Sequence, residues 1–195
     1  MMISQAAKVQ KLFLTAVAKV AIKWQAITFY INMGMEIEHK YLVKNDTYRL
    51  MACGESTITQ GFLSRDPERT VRVRVRDGKG YLTIKGKGAG AAHPEFEYPI
   101  PLADAQQLMT MCKPPLIEKT RYLVMHEGHC WEVDEFHGER QGLVIAELEV
   151  TSEDEHFDLP PFVGQEVTGD PRYYNSSLSW ELGIRSWGLG VRSWG

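Results

Sequence analysis

The sequence predicts a mainly β (α+β) protein whose antiparallel sheet closes into a barrel with charged side chains in its lumen and a few helices packed outside. Three observations carry this prediction. Charged and apolar residues alternate along one short run after another, turn signals separate those runs, and segments with helical character are few. At 195 residues, with 44% hydrophobic and 24% charged side chains, the chain has the length and composition of one ordinary globular domain.

Residues 1–34 carry Lys8, Lys11, Lys19 and Lys23 and no acid. Their apolar stretch, residues 12–24, is interrupted by Lys19 and Lys23 and falls short of the roughly 20 apolar residues that a spanning helix needs. They are read as an extension outside the core, and no membrane partner is expected. The body, residues 35–178, opens on a run in which Glu36, Glu38 and Lys40 share one face while Ile37, Tyr41 and Val43 share the other. A short helix is expected over residues 45–52. In Val71-Arg72-Val73-Arg74-Val75-Arg76 three arginines then oppose three valines. The turn Asp77-Gly78-Lys79-Gly80 leads into a strand with Lys85 and Lys87 on one side, and the Gly-rich residues 86–94 precede Glu95-Phe96-Glu97. A helix over 102–113 is ended by Pro114-Pro115. Beyond it Lys119 and Arg121, Glu132 and Asp134, and Glu147 and Glu149 repeat the alternation. A capping-box turn at Ser152-Glu153-Asp154-Glu155 and a helix over 170–178, capped by Asp170 with Pro171 in its first position, complete the body. Residues 179–195 hold Gly-Ile-Arg-Ser-Trp-Gly and then Gly-Val-Arg-Ser-Trp-Gly. Two copies cannot build a repeat fold, so this segment is read as a tail.

One such strand would be the wet face of an ordinary sheet. Ordinary wet faces, however, mix in Ser, Thr and Gln, whereas here the polar positions are almost all carboxylate, ammonium or guanidinium. Closing the sheet with its apolar side outward gathers these groups in a lumen, which is costly unless something bound there needs them. Arginine and lysine fork onto phosphate oxygens, and clustered carboxylates hold a hard cation such as Mg²⁺ or Mn²⁺. The pattern asks for a metal-bound polyphosphate.

The net charge of −3 includes the four uncompensated lysines of residues 1–34, so the body is more acidic still, which excludes a generic binder of nucleic-acid duplexes. Cys53, Cys112 and Cys130 form neither a CxxC nor a disulfide framework, which suits a reducing cytoplasm. Cys130 lies near His126 and His129, but the cluster lacks the paired spacing of a structural zinc site.

Glu36-Ile37-Glu38-His39-Lys40 resembles the E-x-E-x-K signature of the CYTH, or triphosphate tunnel metalloenzyme, family. It is followed in family order by Gln60-Gly61-Phe62, Val71-Arg72-Val73-Arg74, Leu82-Thr83-Ile84-Lys85-Gly86, Glu95-Phe96-Glu97, Glu118-Lys119-Thr120-Arg121-Tyr122, Trp131-Glu132-Val133-Asp134, Ala146-Glu147-Leu148-Glu149 and Gly164-Gln165-Glu166-Val167-Thr168. The combination is similar to the short, single-domain bacterial branch, with inorganic triphosphatases among its members.

The resemblance implies an eight-stranded antiparallel tunnel. Glu36, Glu38, Glu147 and Glu149, with Asp134 contributing, are then expected to bind metal; Glu36, Glu38 and Lys40 are the expected catalytic residues. Lys40, Arg72, Arg74, Lys85 and Arg121 are expected to hold a triphosphate, with Lys87, Lys119 and Arg172 in support and Glu95 and Glu97 balancing charge. His93 and Pro94 stand where relatives often have a basic residue and an aromatic, and Arg172 lies near the place of a common C-terminal lysine. The expected reaction is metal-dependent hydrolysis of tripolyphosphate or another triphosphate by a cytoplasmic monomer or homodimer. A class IV type adenylyl cyclase, a thiamine triphosphatase and a non-catalytic polyphosphate-binding module are the alternatives.

Overall fold

Alternating side chains set the inside and outside of each strand, and the strands close on themselves. The computed structural model describes residues 34–89 and 91–179, and the expectations for residues 1–33 and 180–195 lie outside them. Among the described residues are β1 (Met35–Val43), α1 (Tyr48–Met51), β2 (Ala52–Asp66), β3 (Arg69–Arg76), β4 (Lys79–Gly86), β5 (Ala92–Ile100), α2 (Leu102–Met111), β6 (Ile117–His126), β7 (His129–Phe136), β8 (Val144–Val150), β9 (Val163–Glu166) and α3 (Asn175–Leu178). The sheet runs β5-β4-β3-β2-β6-β7-β8-β1, and the pairing of β5 with β1 closes it. All pairings are antiparallel. One edge of β1 is held by β8; the other is shared between β5 at its start and β9 at its end. The eight-stranded barrel is therefore as expected, with β9 as a short ninth strand laid along β1.

Two hairpins show how local chemistry sets the register. Asp77-Gly78 and Glu127-Gly128 each form a two-residue loop with positive φ at both positions, matching the twist of the flanking strands. The Asp77 carboxylate also accepts from the Thr57 backbone N–H at 2.9 Å.

The apolar faces are buried in three places. Tyr41, Trp131, Val133, Ala146, Leu148 and Val150 on the outer wall pack with Tyr48, Phe162 and Val163. Trp131 lies against Tyr41 and Phe157, so it is barrel packing, and a ring-binding platform inside the tunnel is not among its roles. Helix α2 covers β3 and β4 through Ala105, Leu108 and Met109 against Val73, Val75 and Leu82. Phe62, Ile117, Phe136 and Ile145, at lumen-facing positions near one end of the barrel, meet Val167, Tyr173 and Leu178 and plug that end.

Three helical expectations are corrected. Residues 45–52 hold only the single turn α1, because Ala52 already begins β2. Helix α2 stops at Met111, before the two prolines. Residues 170–178 are broken at Tyr174 into a 3₁₀ turn, Pro171–Tyr173, and α3; Asp170 does cap the turn, accepting from the Arg172 N–H. The longest strand, β2, and the short β9 were not legible by alternation. In β2 the charged pattern is missing, and Gln60 and Phe62 stand where other strands carry ions.

Candidate active site

Each strand delivers the charged side of its alternation to the lumen, and the groups pair across neighbouring and next-neighbouring strands. Lys40 of β1 binds Glu38 on its own strand and Glu147 of β8 at 2.5 Å. Lys85 of β4 reaches past β5 to Glu36 of β1 and contacts Glu95 at 2.9 Å. Arg72 of β3 donates to Thr83 at 3.1 Å and lies 3.5 Å from both Glu95 and Glu97. Arg121 of β6 forks onto Asp134 of β7 with two bonds of 2.6 Å, contacts Glu132, and reaches Glu147 of β8 at 2.8 Å. Lys119 pairs with Asp134 where both side chains are 0% exposed.

The electrostatics follow from this packing. Burial works against the Lys40 ammonium, but Glu147 and Glu38 overcome it and hold its pKa above the ordinary lysine value. Lys85 is raised in the same way by Glu36 and Glu95. Burial opposes ionisation of Glu147, yet Lys40, Lys119 and Arg121 keep it well below the usual carboxylate range. Lys119 lacks enough compensation: burial, helped by Arg121, pushes it down to about 7 although Asp134 pulls it up. Burial, with Arg72 adding to it, brings Arg74 down to about 10. On the acidic side, burial and the nearby Glu38 and Glu95 raise Glu149 to about 7. Burial also raises Glu36, with Glu95, Glu38 and Glu149 adding to it and Lys85 opposing.

Glu36, Glu38, Glu149 and Glu95 thus form one crowded carboxylate group; Glu38 and Glu149 are direct partners in the β1–β8 register. In the arrangement seen here Lys40 and Lys85 reach into that group. Among the described residues no three His, Cys, Asp or Glu side chains are gathered as a metal-holding set. Asp134 stands apart from the acidic group because its oxygens are taken by Lys119 and Arg121.

A cavity of ≈ 780 Å³ opens from the lumen. Lys40, Arg72, Thr83, Lys85 and Glu95 line its inner wall, Arg65, Glu68, Lys87 and His93 its mouth, and Tyr174, Asn175, Ser176 and Ser177 its far side. Burial and the neighbouring Lys85 lower the pKa of His93. Of the expected cationic residues, Lys40, Arg72, Arg74, Lys85 and Arg121 are brought together in the lumen, and Lys119 is buried beside them. Lys87 is at the rim, exposed and 2.7 Å from Glu68. Arg172 is exposed, folded back onto its own Asp170 at 2.5 Å, and outside the cavity lining. His39, as its alternation requires, points outward to Glu166 and Phe157. His129 is hydrogen-bonded to Glu155, and among the described residues no disulfide joins the cysteines. Sequence reasoning missed Gln60, Thr83 and Asn175. Each is neutral, so a search for charge on alternating positions passes over it.

The arrangement has the chemistry to hold a multiply charged anion. Among the described residues the Nε groups of Arg72 and Arg74 are buried without a hydrogen-bond acceptor, although both side chains face the ring of carboxylates and cations just described. A buried donor left unmet costs about 1–3 kcal/mol, and more for a charged group. Among the described residues no helix is long and apolar enough to cross a membrane.

Comparison with known proteins gives a consistent result. Residues 34–174 match the family model described as the CYTH domain. The chain is 49% identical over 147 residues to an inorganic triphosphatase of Acetivibrio thermocellus, covering 75% of this chain and 94% of that one. It is 32% identical over 151 residues to an inorganic triphosphatase of Nitrosomonas europaea, covering 75% and 98%. A crystal structure of an inorganic triphosphatase superposes with a TM-score of 0.53 at 31% identity, over 74% of this chain and 93% of that one.

Proposed function

Because the chain belongs to the CYTH domain family, we propose that it hydrolyses inorganic tripolyphosphate to pyrophosphate and phosphate inside the barrel, with Mg²⁺ or Mn²⁺ as cofactor. The observation that carries this reading is the pair of buried guanidinium groups, Arg72 and Arg74, whose Nε donors have no acceptor in a lumen that also presents Lys40 and Lys85. The names of both curated relatives support it.

The donor set fits a hard cation. Burial, with Glu38 and Glu95 adding to it, raises Glu36 and Glu149 out of the ordinary carboxylate range, and a cation would relieve both the lost solvation and the repulsion. Glu36, Glu38 and Glu149, with Glu147, would hold the ion, which when bound polarises a phosphoryl oxygen and positions a water. Arg72, Arg74 and Lys85 bind the phosphate chain from one wall. Lys40 and Arg121, both tied to Glu147, meet it from the other and stabilise charge on the oxygens of the transferred group. Asp134 is the anchor of Arg121 and Lys119. Phosphoryl transfer by positioning and electrostatics requires no covalent nucleophile.

The enzyme is read as cytoplasmic, and one chain supplies every residue named, so a monomer suffices and a homodimer is compatible. The region read as the working unit is residues 35–178, with 1–34 and 179–195 outside it. The test is phosphate release by purified protein from tripolyphosphate, ATP, GTP and thiamine triphosphate with Mg²⁺, Mn²⁺ or EDTA. Strong, EDTA-sensitive release from tripolyphosphate is expected. Faster turnover of ATP, or formation of cyclic AMP with pyrophosphate, would refute the substrate assignment.

A further inference from the structure

Among the described residues the far side of the cavity carries no cation, and an amide pair links it to the lumen face of the barrel. Gln60 is fully buried on the lumen face of β2, opposite Arg74 in the β2–β3 register, and Phe62 is opposite Arg72. The Gln60 Nε2 donates to the Asn175 Oδ1 at 3.2 Å, which ties the first residue of α3 to the strand that faces Arg72 and Arg74 in the sheet. With its oxygen turned to Gln60, the other end of the Asn175 amide faces away from that bond. Asn175 lines the cavity, and among the described residues its Nδ2 has no hydrogen-bond partner.

We propose that Asn175 is a substrate-contacting residue, its amide Nδ2 donating to a phosphate oxygen of the anion held by Arg72 and Arg74. The identity of that anion rests on the triphosphatase reading. The choice of an amide has a physical reason. The two guanidinium groups are already close enough that Arg72 disfavours the charge on Arg74, and a further cation there would deepen the repulsion. A neutral donor adds a hydrogen bond to the anion without adding charge. Gln60 supplies the fixed point: it holds the amide so that the donor end does not have to be ordered when the anion arrives.

Two substitutions at one position separate contact from mere support. Asn175→Asp keeps the oxygen that accepts from Gln60, removes the donor and places a negative charge toward the anion. Asn175→Ala removes both. Binding of inorganic tripolyphosphate in EDTA, measured by calorimetry, needs no turnover. The expected order of affinity is wild type, then Asn175→Ala, then Asn175→Asp, with the Asp variant weakened about tenfold or more. Its melting temperature is expected to match wild type, since the bond to Gln60 survives. A residue that only supports the cap would give the opposite order, with Asn175→Asp close to wild type and Asn175→Ala the weaker, and that result would overturn the proposal. Wild type that binds in the expected order but releases no phosphate would refute the proposed reaction and leave the Asn175 contact standing. Wild type that fails to bind tripolyphosphate would overturn both.

Discussion

Glu149 gives the most direct handle on the carboxylate cluster. Its pKa is raised from the ordinary 4.5 to about 7 by burial and by Glu38 and Glu95. An acid raised in this way favours the folded state while it is protonated, so its contribution is complete below about pH 4.5 and is lost as pH rises through about 7. At about 1.4 kcal/mol per pH unit, the loss between those values is up to about 3 kcal/mol, reduced by whatever solvent the carboxylate retains. Glu149→Gln removes the titration while keeping the shape. In EDTA the variant is expected to be within about 1 kcal/mol of wild type at pH 5. At pH 8 the variant is expected to be more stable by up to about 3 kcal/mol, or roughly 10 °C in melting temperature for a chain of this size. Lys119 titrates nearby in the opposite sense, since its lowered pKa makes it less favourable as pH falls through about 7, but this is common to both proteins and cancels in the difference. Thermal melts at the two pH values, with and without Mn²⁺, decide the matter. Adding Mn²⁺ at pH 8 should raise wild type and leave the variant unmoved. A variant-to-wild-type difference that is the same at pH 5 and pH 8 would show that neither burial nor Glu38 and Glu95 raise the pKa of Glu149.

Glu38→Gln should lower tripolyphosphate turnover by at least about 100-fold with a melting temperature near that of wild type; near-normal kcat would mean that Glu38 is not needed for the metal. For Arg72→Ala the change should fall on KM, by about tenfold, because the lost bond is one to phosphate; an unchanged KM with a reduced kcat would contradict its assignment to binding. Asp134→Asn should cost about 3–5 kcal/mol in denaturant unfolding, since it leaves Lys119 and Arg121 buried beside a neutral amide. If its loss appeared only in metal affinity, Asp134 would be a ligand after all. Arg172→Ala is expected to change neither turnover nor melting temperature, because its guanidinium is exposed and bound to Asp170 two residues away; a raised KM would place it in the substrate path.

Much of this was legible in the sequence because a strand exposes its two faces with period two. Arg72 and Arg74, or Glu147 and Glu149, had to share a side, and Val73 or Leu148 had to share the other. The same rule failed for β2, whose lumen side is Ile58, Gln60 and Phe62. These residues end the ionic zone and begin the apolar plug, so the strand carries no charge alternation to detect. The resolution of the C-terminal segment into a 3₁₀ turn and α3 was equally hidden, since Arg172 and Asn175 lie three residues apart and only the break at Tyr174 decides that the cation faces water and the amide faces the cavity.

What period two cannot give is partnership, and partnership is where the chemistry lies. Asp134 and Glu149 have the same charge and the same alternation, yet they stand in opposite electrostatic settings. Burial works against the charge on both; Arg121 and Lys119 overcome it at Asp134 and hold it ionised, while at Glu149 the carboxylates of Glu38 and Glu95 add to it and drive the group toward protonation. The difference comes from which strand lies next to which: β6 brings two cations to Asp134, whereas β1 brings a second carboxylate to Glu149. A cation is therefore already built into the Asp134 end of the lumen, in Arg121 and Lys119. At the Glu149 end the charge must be balanced by lysines that reach in from β1 and β4, and Lys40 and Lys85 are also the groups that face the cavity. An anion entering there competes with Glu36 and Glu38 for those lysines. Each lysine it draws away leaves the acidic cluster more exposed to its own repulsion and raises its affinity for a divalent ion. Tripolyphosphate and metal should accordingly bind with positive cooperativity, each tightening when the other is present. Titration of a non-hydrolysable triphosphate analogue into the wild-type protein with and without saturating Mg²⁺ would show it, and equal affinities in the two titrations would mean that the lysines do not change partners.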